Sequence, residues 1–411
     1  MTLPGAKDIQ PERTPWVIVA AGFHRQGGMD RANLELALYL AERQHAVHLI
    51  CHDIDSNLAG RPLVTVHRVP RPAGSFLLGS PLLDIEGRRV ARAVVRNFPA
   101  ATVVVNGGNC LWPGINWVHY LHRAWTPAAH AAPLWFSLKQ RAAGRFDRRR
   151  ERRAFQKARL IVSNSLLTSR QLNDYFQAEN SRIRTLYLGS DPDWGPISPE
   201  ERASAREAVG VPPTRLAAAF VGALGYDNRK GFDVLFEAWR QLCARPDWDV
   251  DLLVAGGGKA LGAWKARILQ AGLQERIKFL GFSSQVKKIL AAADLLVSPV
   301  RYEPYGLNVQ EAVCRGVPAL VSAAAGVAER YPHKLTPMLL PDPERVADLN
   351  ERLTQWRGQV QHWKSAFESL GAELRLQSWR RMAEGFVRLA EEASATRAHA
   401  NAPLSRAEVE S

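Results

Sequence analysis

The sequence predicts an α/β protein of two domains, each a parallel sheet with helices between its strands. Three observations lead there. At 411 residues the chain exceeds the ~250–300 at which single hydrophobic cores stop growing. Short β-branched runs alternate with stretches of helical periodicity in both halves, the pattern of successive βαβ units. Glycine-rich turns close several of these strands, at the sheet end where open α/β folds bind ligands.

Residues 15–21 (Pro-Trp-Val-Ile-Val-Ala-Ala) form the first apolar run. A loop holding Gly27 and Gly28 follows. Leu34, Ala37, Leu38 and Ala41 then repeat at i, i+3, i+4, i+7, which predicts a helix, and 46–51 reads as the second strand. Gly27 and Gly28 lack a Cβ and let the backbone approach a ligand closely. Further strands are expected at 63–69, 102–105, 115–122, 160–163 and 183–188, with a helix over 85–97 and one or two helices over 128–157. Residues 189–196, rich in Gly, Pro and Asp, read as a linker. The second half starts with a strand at 216–221 and a glycine-rich turn, 222–231, into a helix with Phe232, Leu235, Phe236 and Trp239 on one face. Arg229 and Lys230 sit at that turn. Cations at a helix start oppose the dipole unless an anion lies between them, so the pair points to a bound anion. Strands at 249–255 and 277–280 follow, each closed by glycine.

One stretch concentrates the chemistry. The run Leu295, Leu296, Val297 suits a strand covered on both faces, and Pro299 and Pro304 keep helix from starting before about Gly306. From Gly306 to Arg315 the residues favour helix. The free N–H groups of Gly306, Leu307 and Asn308 would then face an anionic group or a polarised sugar oxygen. Glu303 reaches the same place from the loop and Glu311 from the helix, so two acceptors could grip one polyhydroxylated molecule.

Composition narrows the partners. With 46% hydrophobic and 23% charged residues the chain reads as globular and soluble. No run approaches the ~20 apolar residues of a spanning helix, and residues 1–14 lack the apolar core of a signal peptide, so the expected location is cytoplasmic. Cys51, Cys110, Cys243 and Cys314 are too scattered for a zinc site or a disulfide framework. A net charge of +14 implies an anionic partner: diphosphate, lipid headgroup or nucleic acid. Between residues 139 and 159 ten Lys or Arg face only Asp147 and Glu151. Arg148, Arg149, Arg150, Arg152 and Arg153 form the centre of this candidate anion surface, reversible contact with the inner face of a membrane being one use. Aromatic residues are sparse there, which argues against a nucleic-acid platform.

The stretch Glu303-Pro-Tyr-Gly-Leu-Asn-Val-Gln-Glu311, followed by Arg315-Gly-Val-Pro318, resembles the E-x7-E signature of the retaining glycosyltransferases of family 4, also called group 1. The resemblance spans about 17–390, strongest over 220–329. It implies the GT-B fold, two Rossmann-like domains facing across a cleft: an acceptor-side domain over 1–189, a nucleotide-sugar domain over 190–374, a helix at 375–395 packing back on the first domain, and a polar tail at 396–411. It also implies transfer of a sugar from a nucleotide-diphosphate sugar to a glycan or lipid-linked acceptor with retention, for cell-surface polysaccharide or glycolipid synthesis. The donor is a substrate, so no cofactor and no metal are expected, and no specific nucleic acid. Phosphorylase or sucrose- and trehalose-type synthase chemistry on a soluble sugar is the alternative, and a non-catalytic anion-binding module is another.

By the same resemblance, Glu303 holds sugar hydroxyls near the anomeric centre and Glu311 the ribose. His122, in Val118-His-Tyr-Leu-His122, meets the sugar from the opposite domain, with His119 as the fallback. Gly27, Gly28, Phe282, Tyr305, Gly306, Leu307 and Asn308 contact the donor. The usual Arg of the 222–231 loop is replaced by Ala223. Lys230 keeps the family's lysine, and Arg229 is taken to supply the missing charge.

Overall fold

The computed structural model describes residues 13–126, 134–281 and 285–400. Seven strands form a first, wholly parallel sheet: β1 Arg13–Val19, β2 His45–Cys51, β3 Val64–Arg68, β4 Thr102–Asn106, β5 Ile115–Val118, β6 Leu160–Ser163 and β7 Ile183–Thr185. Their spatial order is β3-β2-β1-β4-β5-β6-β7. Six more form a second parallel sheet: β8 Leu216–Val221, β9 Val250–Ala255, β10 Ile277–Gly281, β11 Leu295–Ser298, β12 Ala319–Ser322 and β13 Leu339–Leu340, in the order β10-β9-β8-β11-β12-β13. In each sheet the order reverses once, between β1 and β4 and between β8 and β11. Those two points are where ligands enter folds of this kind.

The strands read as apolar runs because both faces are covered: β4 to β6 and β9, β11 and β12 are buried almost throughout. Helices α1 (Gly28–Glu42) and α6 (Trp379–Ala400), at the two ends of the chain, pack on each other. Phe386 of α6 lies against Trp16 and Trp117 of the first sheet.

Several boundaries differ from expectation. The strand expected to reach His122 stops at Val118, where pairing with β6 ends at Ser163. His122 therefore sits in a turn, closed by the Ala124 N–H on the Leu121 carbonyl at 3.1 Å. The last strand of the first sheet ends at Thr185, and the helix expected over 85–97 runs back through Pro81 to Phe76. The basic stretch is one helix, α2 (Leu134–Lys157). Residues 375–376 close the preceding helix, and α6 starts at Trp379 and continues to Ala400, into the expected tail, because alanine favours helix there.

The two crossings between the halves touch. Ser190 donates its N–H to Gln377 O at 2.7 Å, and its hydroxyl lies 3.1 Å from both Leu374 O and Gln377 O. The serine hydroxyl is spent on the neighbouring crossover.

Candidate active site

The second switch point carries the charged cluster. The 222–231 turn leads from β8 into α4 (Phe232–Cys243), and residues 299–306 lead from β11 into α5 (Leu307–Cys314). Lys230 Nζ from the first loop pairs with Glu303 Oε2 from the second, and an Arg229 Nη lies 3.6 Å from the same oxygen. Burial pushes the Glu303 carboxyl up, but the two cations outweigh it and hold it below its ordinary value. It is thus ionised at neutral pH, with two cations waiting beside it.

The loop is held by its backbone. Glu303 donates to Ala324 O at 3.2 Å and accepts from Gly326 N at 2.9 Å. Gly306 sits at φ 110°, a conformation that only glycine adopts without strain, and a Cβ there would stand 2.9 Å from Val327. The turn aims the start of α5 at the cleft, and Asn308 fixes that start to β8 through Val221 O at 3.0 Å. Tyr305 departs from expectation. Its side chain is buried with its hydroxyl on Gln310. Gln310 in turn donates to Gly189 O at 2.8 Å, which ties the signature helix to the crossing between the halves. Phe282 lies outside the described residues.

The first half closes over this cluster. Gly27, at φ 87°, and Gly28 lead into α1, and a Cβ on Gly28 would lie 3.6 Å from the Leu307 side chain. Tyr302 accepts from Leu121 N at 3.2 Å, and the Arg229 guanidinium stands 5.6 Å from the Tyr120 ring centre. Further out, Ser165 donates to Pro304 O at 2.6 Å. Glu329 of the second half accepts from Leu166 N and Leu167 N at 2.7 and 2.9 Å, at the start of α3 (Leu166–Phe176). A carboxylate at a helix N-terminus is favourable, so this contact helps hold the halves together.

His122 faces the first half's own cavity. Its Nδ1 lies 2.6 Å from Glu151 Oε1 and its Nε2 lies 3.6 Å from Asp147. Burial alone would push the imidazole down, and the Glu151 and Asp147 carboxylates hold it above its ordinary value. Tyr120 bridges the two regions, its ring 4.9 Å from His122 and 5.3 Å from Tyr302. His119 is buried against Trp117, with ring centres 4.6 Å apart.

Glu311 lies on α5 beside Arg31 and Asp191, and among the described residues no hydrogen bond holds its carboxylate. Burial raises its carboxyl from 4.5 to about 8, Arg31 opposing and Asp191 reinforcing the shift. The folded protein keeps this proton up to about pH 8 where the unfolded chain loses it near 4.5, so stability drains as pH rises through that window. Glu311→Gln is therefore expected to match the parent near pH 4.5 and to gain on it by about 2 kcal/mol by pH 8.5, in thermal melts, the partial exposure of the carboxylate limiting the effect. The same variant should bind nucleotide about 10–100-fold more weakly if the carboxylate accepts from ribose hydroxyls. Melts that stay parallel across the range, with unchanged titration by nucleotide, would remove both roles.

Of the expected anion surface, Arg149, Arg152 and Arg153 are exposed and Arg148 half-buried. Arg150 is a correction. It points inward, donating to Gly108 O at 3.0 Å and Asn109 O at 3.4 Å. Among the described residues no cluster of three or more His, Cys, Asp or Glu is placed to hold a metal ion.

The chain is similar to known proteins. The family model described as "Glycosyl transferases group 1" matches residues 215–355, and the one described as "Glycosyltransferase Family 4" matches 26–194. An uncharacterized glycosyltransferase of Methanocaldococcus jannaschii is 28% identical over 48% of the chain and 51% of its own length. The match thus spans about half of that relative. A D-inositol 3-phosphate glycosyltransferase of Mycobacterium sp. (strain KMS) is 28% identical over 73% of the chain and 71% of its own length. In three dimensions, Anabaena Alr3699/HepE, solved in complex with UDP-glucose, superposes with a TM-score of 0.68 at 17% identity, covering 92% of this chain and 100% of that one. The fold this chain shares with that neighbour is GT-B.

Proposed function

Because this chain belongs to the group 1, family 4 glycosyltransferases of GT-B fold, we propose that it transfers a sugar from a nucleoside diphosphate sugar to a glycan or lipid-linked acceptor, with retention of anomeric configuration. The observation that carries the reading is the convergence of Arg229, Lys230, Glu303 and the start of α5 at one switch point. The UDP-glucose in the Anabaena neighbour supports a donor of this class.

In the reaction the bond from the anomeric carbon to the diphosphate oxygen breaks, and the acceptor oxygen bonds to the same face. The acceptor's proton passes to the departing phosphate. Negative charge grows on the diphosphate, where Lys230, Arg229 and the free N–H groups after Gly306 form a preorganised positive site. In the free protein Glu303 neutralises the two cations. When the diphosphate takes them over, the Glu303 carboxylate is released to accept from sugar hydroxyls and to face the electron-poor anomeric centre. Glu311 would hold the ribose, and His122 would approach the sugar from the first half.

Isothermal titration with UDP-, GDP- and ADP-hexoses tests this. One of them should bind the parent at micromolar concentration and lose affinity in Lys230→Ala. No binding of any nucleotide sugar would overturn the proposal.

A membrane-proximal acceptor is part of the reading. No described helix is long and apolar enough to cross a membrane. The helix Phe76–Asn97 nevertheless exposes Phe76, Leu78 and Ile85, and α2 exposes Leu138 together with Arg141, Arg145, Arg149, Arg152 and Arg153. Both helices border the cavity beside His122. Each juxtamembrane cation adds about 1 kcal/mol near an anionic leaflet, so a few suffice for reversible binding. Sedimentation should show binding to phosphatidylserine vesicles and little to phosphatidylcholine, released by salt. Replacing Arg148, Arg149, Arg152 and Arg153 by Gln should cut binding at least about tenfold. Equal partition between the two lipids would favour a soluble acceptor.

A further inference from the structure

Three consecutive residues of the 299–306 loop take three different partners. Tyr302 accepts from Leu121 N of the first half, and Glu303 meets Lys230 and Arg229. Arg301 does neither, and the donor chemistry above makes no use of it. Its side chain is nevertheless only 11% exposed, and each of its five N–H groups has an acceptor. Nη1 donates to Asn228 O at 2.6 Å and to Asp233 Oδ1 at 2.7 Å. Nη2 donates to Asp233 Oδ2 at 2.9 Å and to Glu344 Oε2 at 2.7 Å, and Nε donates to Glu344 Oε1. Asn228 belongs to the 222–231 turn, Asp233 to the first turn of α4, and Glu344 to the loop after β13.

The backbones of the two loops meet at the same place. Arg301 N donates to Arg229 O at 2.9 Å, and Gly231, at φ 71°, lies so near the Pro299 carbonyl that a Cβ would collide with it. Asn228 sits at φ 50°, an uncommon conformation for a residue with a side chain, and the Arg301 guanidinium braces it by its carbonyl. The turn that carries Arg229 and Lys230 is thus clamped to the loop that carries Glu303. On loose loops the opposite charges would move as a unit, and a diphosphate that drew the cations would draw the carboxylate out of place. With the backbones clamped, the cations change partner by side-chain rotation and the carboxylate stays.

We propose that Arg301 is a positioning residue of the donor site: it sets Glu303 against the Arg229–Lys230 pair, and it acts on sugar transfer through Glu303. The proposal rests on the glycosyltransferase reading, and the test separates the two.

The test is a double-mutant cycle on the full chain, with initial rates of consumption of UDP-, GDP- and ADP-hexoses. Arg301→Lys keeps the charge and loses the planar fork. It should lower kcat about tenfold, as a small misplacement of a reacting group does. Nucleoside diphosphate affinity should change little, which also reports that the variant folds. In the Glu303→Gln background the same substitution should leave kcat unchanged, because no carboxylate remains to be placed. The acid limb of the kcat/KM profile should move up in Arg301→Lys. The two cations hold the Glu303 carboxyl below its ordinary value, so cations that stand farther off let it rise, and the ionised form is lost at higher pH. Glu344→Gln, on an exposed side chain, weakens one arm of the clamp without threatening the fold. It should lower kcat by a smaller factor, and again not in the Glu303→Gln background. The proposal is overturned if the substitutions slow transfer equally in both backgrounds, as a general loss of structure would, or if transfer in both variants matches the parent. Either result leaves the glycosyltransferase reading standing. A parent that consumes none of the three donors overturns that reading, and the proposal falls with it.

Discussion

Glu303→Gln is expected to lower sugar transfer by about 10²–10³-fold, the usual size of losing one preorganised electrostatic contact to a reacting centre. Nucleoside diphosphate affinity should change far less. The amide keeps the shape of the side chain but carries no charge to set against the electron-poor anomeric carbon. Removing that charge also frees Lys230 and Arg229, which now share Glu303 Oε2, so the diphosphate meets less competition. Initial rates beside a nucleotide titration separate this from a structural role. A variant that melts early yet turns over normally would make Glu303 a mere counter-ion.

The second large effect is expected at the cations. Lys230→Ala removes a diphosphate contact and leaves Glu303 with only Arg229 at 3.6 Å. Losing one preorganised charge from the departing diphosphate costs about 10²–10³-fold in rate, so a fall of that size in kcat/KM is expected. Arg229→Ala should cost about tenfold or more, and Ala223→Arg should return part of that. Ala223 is exposed at the end of β8, so an arginine there has room to reach the same anion. Unchanged donor kinetics in Arg229→Ala would leave Lys230 as the sole side-chain cation and show that Arg229 serves the Tyr120 and Tyr302 contacts instead.

Four strands of the second sheet, β8 to β11, were legible because each is an apolar run closed by glycine or proline, and such runs do not depend on distant partners; β12 and β13 were not read. The Lys230–Glu303 pair was not read from the sequence; it follows from the fold, where both loops leave strands that flank the reversal of order. What the sequence hid were pairings between halves. Glu329 looked like one more surface acid in a loop, and only the fold brings it to the start of α3. Tyr302 and Tyr120 likewise meet across the cleft from opposite halves. Arg150 was misread for a different reason: a run of arginines gives no sign of which one faces inward. A clue did exist. Asp147 and Glu151, the two acids within that run, stand four residues apart and so share one helix face, and that face is the one turned to His122.

The most direct test of the account is time-resolved ¹H NMR of the parent with the nucleotide sugar it binds and an octyl hexoside, reading the anomeric protons of donor and first-formed product. The account predicts donor consumption, a product with the donor's anomeric configuration, and loss of both signals' change in Glu303→Gln. An inverted product, or turnover that survives Glu303→Gln undiminished, would contradict it.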